Sequence, residues 1–198
     1  MTLKRIVLAL TLFLPLMAVA QDWNAPKYLK GACPLNEQGA LIFHADYDVP
    51  GKSCADIYRA LKQYVETSVL KGENALKQCR IVEADEADGL LAARVEEYLY
   101  FKKNNWVTHR TRFFYELVYD IHDGGFSVEM RRMIYLYEEQ ETPNGEPQRF
   151  TAEEWISDKE ALKKNGTLLR KPRKFRVFTI DRRDELFAGS AQAAGAKM

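Results

Sequence analysis

Three groupings of side chains have the types and spacing that chemistry uses. His44, Asp46 and Asp48 alternate along one segment. If that segment is extended, an imidazole and two carboxylates project to one side, a donor set suited to a divalent cation. Residues two apart on a strand lie about 6.6 Å from each other, which is wide for one ion without a third element. The polar face of an exposed strand explains the same residues. Arg170, Lys171, Arg173, Lys174 and Arg176 place five cations within seven residues. Such a run could grip phosphates of a lipid surface, an acidic glycan or an acidic protein. Interleaved Phe175 and Phe178 suggest that the segment docks; the alternative is a solvated stretch balanced by the acidic loop at 138–141. Tyr98, Tyr100, Tyr115, Tyr119, Tyr135 and Tyr137 form the third grouping. Sheet packing explains most of them. Hydroxyls turned into a space between sheet and helix would instead suit a small amphipathic ligand.

Other reactive groups carry weaker signals. His122-Asp123 sits at a turn, and turn chemistry accounts for the aspartate. Cys33, Cys54 and Cys79 are an odd count, so any disulfide leaves one thiol unpaired. Cys54 falls near a helix start, where the dipole favours thiolate. All three as unpaired, mostly buried thiols is the plainer reading. Gly-x-Ser-x-Gly, His-Glu-x-x-His, a phosphate-cradling glycine loop and Cys-x-x-Cys are absent from the sequence. The expectation is no cofactor, no resident metal and no catalytic residue.

The elements that must position these groups can be read from periodicity. Leu41 to Val49 alternates apolar and polar, the pattern of a half-buried strand closed by Pro50-Gly51. Ser53 is a good N-cap, and Ile57, Leu61, Tyr64, Val65 and Val69 follow at helical spacing up to Lys71-Gly72. Gln78 to Ala84 reads as a short strand. Leu90 to Phe101 fits helix or strand; its flanking turn signals and its aromatic end favour strand. Arg110 to Ile121 and the residues after Gly125 make a hairpin around Asp123-Gly124. That turn sets Ile121 opposite Phe126, Tyr119 opposite Val128, Leu117 opposite Met130, and Glu116 opposite Arg131. A slip by one residue would spoil both faces. The alternation changes phase at Arg131-Arg132, which predicts a bulge.

Beyond the acidic loop, Thr151 and Glu154 form a capping box, and Phe150 with Trp155 a hydrophobic staple, opening a helix that runs to Asn165-Gly166. Thr167 to Ile180 reads as basic and partly extended, with Asp181 capping a short last helix that carries Leu186 and Phe187. The tail from Gly189 is expected to fray. Consecutive antiparallel strands with helices grouped on one face make an α+β fold, in the order β-α-β-β-β-β-α.

The first residues address the chain. Lys4-Arg5, an apolar run from Ile6 to Met17 and the small residues Ala18-Val19-Ala20 make a secretory signal peptide, too short to span a bilayer. Cleavage is expected after Ala20, giving a periplasmic or secreted protein. Removal of Lys4 and Arg5 leaves 27 basic against 28 acidic residues, a balance of −1 with histidine neutral. Nothing in that balance points to nucleic acid. The expected organisation is a signal peptide at 1–20, a lead-in at 21–40, one α+β domain at 41–188 and a flexible tail at 189–198.

With the elements placed, three stretches resemble a known family. They are Lys27-Tyr28-Leu29-Lys30-Gly31-Ala32-Cys33-Pro34, with Val49-Pro50-Gly51-Lys52-Ser53 and Ile57-Tyr58 after it; Glu96-Glu97-Tyr98-Leu99-Tyr100-Phe101, joined by Ile134-Tyr135-Leu136-Tyr137-Glu138-Glu139; and Ala152-Glu153-Glu154-Trp155-Ile156-Ser157-Asp158-Lys159, followed by Lys174-Phe175-Arg176 and Thr179-Ile180-Asp181. The chain resembles exported proteins of Gram-negative gut bacteria built on a domain of unknown function with a TATA-binding-protein-like fold. Cys33 departs from the aliphatic residue expected there. The resemblance implies a curved antiparallel sheet of about five strands with helices on one face, and a strand at 90–101. It implies no activity, and a DNA-binding fold analogy is no argument for DNA binding. The expected role is non-enzymatic binding of an envelope protein or an anionic ligand, through the sheet face or the basic segment. The rival is a small-ligand carrier, or an enzyme, with a pocket between sheet and C-terminal helices; a cavity above about 300 Å³ separates the two.

Overall fold

The computed structural model describes residues 22–103, 108–137 and 146–197, so the segment expected to be a signal peptide and most of the acidic loop lie outside the described residues. Among the described residues six antiparallel strands form one sheet: β1 (Phe43–Asp48), β2 (Arg80–Asp85), β3 (Leu90–Lys103), β4 (Thr108–His122), β5 (Gly125–Tyr137) and β6 (Gln148–Thr151). Their order is β1-β5-β4-β3-β2, with β6 also on β5. The β4–β5 hairpin has the register the turn dictates: Ile121 faces Phe126, Tyr119 faces Val128, Leu117 faces Met130 and Glu116 faces Arg131. The bulge also falls where the pattern changes phase, and Arg132 there has φ of 54°. It separates the stretch of β5 that pairs β1 from the stretch that pairs β6. The sixth strand has no counterpart in the sequence reading, because its four residues show no alternation of burial.

One sheet face is apolar. Leu91, Ala93, Val95, Phe113, Tyr115, Leu117, Tyr119, Val128, Met130 and Tyr135 are all buried there. Two helices cover it: α1 (Cys54–Tyr64), which runs into a wider turn at Val65–Val69, and α4 (Arg173–Ala194). Ser53 caps α1 by accepting the Asp56 N–H at 3.2 Å. The two helices cross at Gly189, where an added Cβ would lie 2.3 Å from the Tyr64 hydroxyl. Only glycine permits that approach.

Three sequence expectations need correction, all in the C-terminal third. The helix opened by Thr151 has its capping box and its staple, with the Phe150 and Trp155 rings 4.3 Å apart. It stops after one turn, as α2 (Ala152–Trp155), and Ser157 caps a second single turn, α3 (Asp158–Ala161). Residues Arg173–Ile180 are helical rather than extended, and Asp181 lies inside α4 rather than at its start. The tail is helical through Ala194, closed by Gly195 at φ 75°, and Lys52 donates to the Ala194 carbonyl at 2.7 Å. A cation on the last carbonyls satisfies the negative end of the helix.

α4 escaped the periodicity analysis because polar residues are interspersed on its buried face among Phe175, Val177, Ile180, Leu186 and Phe187. Arg176, Thr179, Arg182 and Ser190 recur at spacings of three, three and eight. Burying such groups requires partners, and the sheet tyrosines supply two of them. The Tyr135 hydroxyl bonds Thr179 at 2.8 Å and the Tyr119 hydroxyl bonds Ser190 at 2.8 Å. Burial pushes both phenols far above their ordinary pKa.

Candidate functional site

The third polar anchor of α4 builds the site. Glu97 is on the helix-facing side of β3 and only 2% exposed. Arg182 meets its carboxylate with two parallel bonds, Nε and Nη2 each 2.8 Å from an oxygen. Tyr115 donates its hydroxyl to the same carboxylate at 3.1 Å. Arg182 also reaches Glu185 at 2.8 Å. Burial works against the Arg182 charge, but neighbouring Tyr115 and Glu97 and the bonds to both carboxylates outweigh it, and its pKa rises. A bidentate, fully partnered pair is the form in which a buried charge is tolerated.

This pair forms the floor of a cleft of about 440 Å³ between α4, the edge of β3 and the segment following α1. Phe178 and Leu99 supply apolar wall, Ser68 and Asn74 polar wall, and Glu73, Asp181 and Glu185 acidic rim. The opening lies where β2 ends its pairing at Arg94; beyond it, among the described residues, β3 meets the Cys79 thiol at Glu96 and a single bridge from Ala75 at Glu97. Asp181 is held from outside by Lys27 at 2.6 Å and by the Tyr28 hydroxyl at 2.7 Å.

The residues singled out in the sequence are dispersed. His44 pairs with Asp46 at 3.1 Å and approaches Glu129 at 3.7 Å. Among the described residues no three His, Cys, Asp or Glu side chains are grouped to hold a metal. His122 bonds the Asp123 carbonyl, and Asp123 accepts the Cys54 N–H at 2.7 Å, so the hairpin tip caps α1. Cys33, Cys54 and Cys79 are unpaired thiols. Burial pushes Cys33 up to about 12. Burial and the carboxylates of Asp123, Glu86 and Asp120 raise Cys54, against the thiolate that its place at a helix start suggested.

The basic run does not present five cations on one surface. Arg170 and Lys171 are exposed in the turn before α4. The Arg173 guanidinium lies 4.9 Å from the Trp23 ring. Lys174 bonds the Tyr137 hydroxyl at 2.7 Å and sits over the Phe101 and Tyr137 rings. Arg176 is fully buried: it donates to the carbonyls of Tyr28, Leu29 and Ile156 and to Asp158, each at 2.6–2.7 Å. The lead-in is thereby ordered, and Asp158 completes the strap by accepting the Cys33 N–H at 3.0 Å.

Nor is the outer sheet face an apolar platform. Glu116 meets Arg94 at 3.1 Å and Arg132 at 3.2 Å, Glu96 binds Arg112, and the Arg110 guanidinium stacks 3.6 Å from the Tyr98 ring centre. Of the six tyrosines, Tyr115, Tyr119, Tyr135 and Tyr137 turn toward the helices as the ligand reading required, but the hydroxyls of the last three are bound by Ser190, Thr179 and Lys174 of α4 itself. Glu97 was missed. Its only sequence signal was a carboxylate at a position that alternation places on the apolar face, next to Val95 and Leu99.

Comparison with known proteins agrees with the architecture. The model of a family described as a domain of unknown function (DUF4468) with TBP-like fold matches residues 43–135. A crystal structure of a DUF4468 family protein from Bacteroides ovatus aligns at 32% identity and a TM-score of 0.75, covering 86% of this chain and 95% of that one. The chain belongs to the DUF4468 family. A TBP-like protein from Parabacteroides distasonis, 18% identical, shares the fold with a TM-score of 0.65, over 83% of this chain and 99% of that one. No curated protein matches this chain. The family model ends within β5, so the α4 wall of the cleft lies beyond the residues this DUF4468 model matches. No described helix is long and apolar enough to cross a membrane.

Proposed function

We propose that this DUF4468 protein is an exported binding protein of the bacterial envelope that holds a small ligand carrying a cationic group in the cleft between β3 and α4. The observation that carries this reading is the cleft of about 440 Å³ floored by the buried Glu97–Arg182 pair. Its volume lies in the range of small-molecule sites, and its lining is mainly polar and charged, with Leu99, Phe178 and the rings of Tyr98 and Tyr100 as the apolar wall. Asp181, Glu185 and Glu97 still outnumber Arg182 and the Lys27 that holds Asp181 from outside, and a concave site with an excess of one sign favours ligands of the other. The Glu97 carboxylate is held by arginine and by the Tyr115 hydroxyl, an arrangement suited to binding and orienting a ligand.

Calorimetric titration with spermidine, cadaverine and arginine, against acetate and phosphate, tests the site. The cations should bind and the anions should not. Ser68→Trp, which fills the mouth, and Glu185→Lys, which reverses a rim charge, should each abolish binding; both positions are exposed, so the fold should survive. Binding that either variant leaves unchanged, or no binding of any of the three cations, defeats the proposal. Export is tested separately by N-terminal mass spectrometry of envelope material: the mature chain should begin at Gln21, and intact Met1 there argues against it.

A further inference from the structure

The strand at the other margin of the sheet offers a second surface, independent of the cleft. β1 pairs with β5 on one side only, and no described strand covers its outer edge; the one backbone bond recorded there is from the Lys197 N–H to the Asp48 carbonyl at 3.4 Å, at the end of the strand. Such an edge is a row of backbone donors and acceptors ready to accept another strand. Beside it, between β1 and the C-terminal half of α4, runs a groove of about 390 Å³ lined chiefly by Ala45, Tyr47, Phe187 and Ala188, with Arg183 and Asp184 on the helix side. The opposite side of the same strand is anionic. Asp46 is 79% exposed, Asp48 is exposed, and Glu129 on β5 lies beside His44.

These two faces specify the occupant. A strand added to β1 alternates its side chains between them. One set enters the groove against Tyr47, Phe187 and Ala188 and must be apolar. The other set stands beside Asp46 and Asp48 and must be cationic to be complementary. We propose that the β1 edge is a docking site for an extended peptide segment of a partner protein in which cationic and apolar residues alternate.

The test is titration of the full mature protein with a labelled Lys-Val-Lys-Val-Lys-Val peptide, its Glu-Val counterpart and a backbone N-methylated Lys-Val version, read by anisotropy. The Lys-Val peptide should bind and slow hydrogen exchange at the amides of Phe43–Asp48, and the other two should not. Asp46→Lys with Asp48→Lys should weaken binding by roughly tenfold or more at low salt and less at high salt, since exposed pairs are screened. Ala188→Trp, at an exposed groove position, should block it, whereas Ser68→Trp in the cleft should not. The proposal fails if the Lys-Val peptide does not bind. Equal binding of the N-methylated peptide would show a surface that reads charge alone. Unchanged exchange across β1 would place the peptide elsewhere. Concentration-dependent dimerisation abolished by Asp46→Lys would make the occupant a second copy, and would equally overturn it.

Discussion

Replacing Arg176 with methionine separates the surface reading of the basic run from the buried strap. The guanidinium is inaccessible to solvent and donates four hydrogen bonds, to Tyr28, Leu29, Ile156 and Asp158. Methionine retains much of the side-chain bulk and none of the donors. Removing one partner of a buried ion pair costs about 3–5 kcal/mol. Three carbonyls also lose their donor, each worth up to about 1–3 kcal/mol where water cannot enter. The lead-in can peel away and let water reach them, which limits the loss to the energy that holds the lead-in down. We expect a loss of about 4 kcal/mol, a fall of about 2 M in the urea midpoint for a slope of about 2 kcal/mol/M. Exchange at the Gly31 and Cys33 amides, which Asp158 accepts, should accelerate first. The pH dependence adds an independent readout. Burial works to raise the Asp158 pKa, but the Arg176 bond and the two lead-in amides outweigh it, holding it below the free value of 3.8. A carboxylate depressed on folding contributes stability above its unfolded pKa, and that contribution is lost as pH falls through the folded value. The wild type should therefore lose stability below about pH 4 more steeply than Arg176→Met. Arg170→Gln with Lys171→Gln, both exposed, should shift stability by no more than about 0.5 kcal/mol. A methionine variant within about 1 kcal/mol of wild type, or a double variant as damaged, would refute this account of the strap.

Gly189→Ala should cost about 1–3 kcal/mol, because its Cβ would meet the Tyr64 ring and hydroxyl. In a double-mutant cycle with Tyr64→Ala, the combined loss should be smaller than the sum of the two, since the clash is then gone. Leu117→Asp should lower the denaturation midpoint by several kcal/mol more than Val118→Asp, because Leu117 is wholly buried and Val118 faces the outer sheet surface. Equal midpoints for those two variants would mean that the hairpin register is wrong.

What the sequence made legible was whatever carries its instruction locally. The Asp123-Gly124 turn fixes a register, and with it which residues of β4 and β5 face inward, so the hairpin could be read pair by pair. Ser53 and Thr151 announce their helices through bonds to residues three positions away. The failures share one cause. The single-turn α2 and α3 are cut where Asp158 is drawn to Arg176 and to the lead-in amides, contacts spanning 18 and 125 positions. Gly189 reads as a helix breaker until Tyr64, more than a hundred residues away, is seen to need the space. The five-cation run looks like one surface only while Arg176 is assumed to be solvated.

The same physics explains why the candidate sites lie at the margins of the sheet. Between α4 and the sheet, three tyrosine hydroxyls meet Thr179, Ser190 and the carboxylate of Glu97, and Arg182 completes the last of these. A polar interface with every hydroxyl partnered admits one register, since sliding α4 by a turn would strand each group in apolar surroundings. That layer is therefore a poor place for a ligand and a good scaffold for one. On the outer face, Glu116 and Glu96 are similarly occupied by arginines. What remains uncommitted is where strands run out. At one margin β2 gives way to the single bridge of Ala75, and the α4 side chains that would have been covered instead line a cleft. At the other, β1 ends the sheet beside an apolar groove. A rigid centre with two open margins fixes the distance between those surfaces, so a ligand in the cleft and a peptide on β1 would engage this protein without competing.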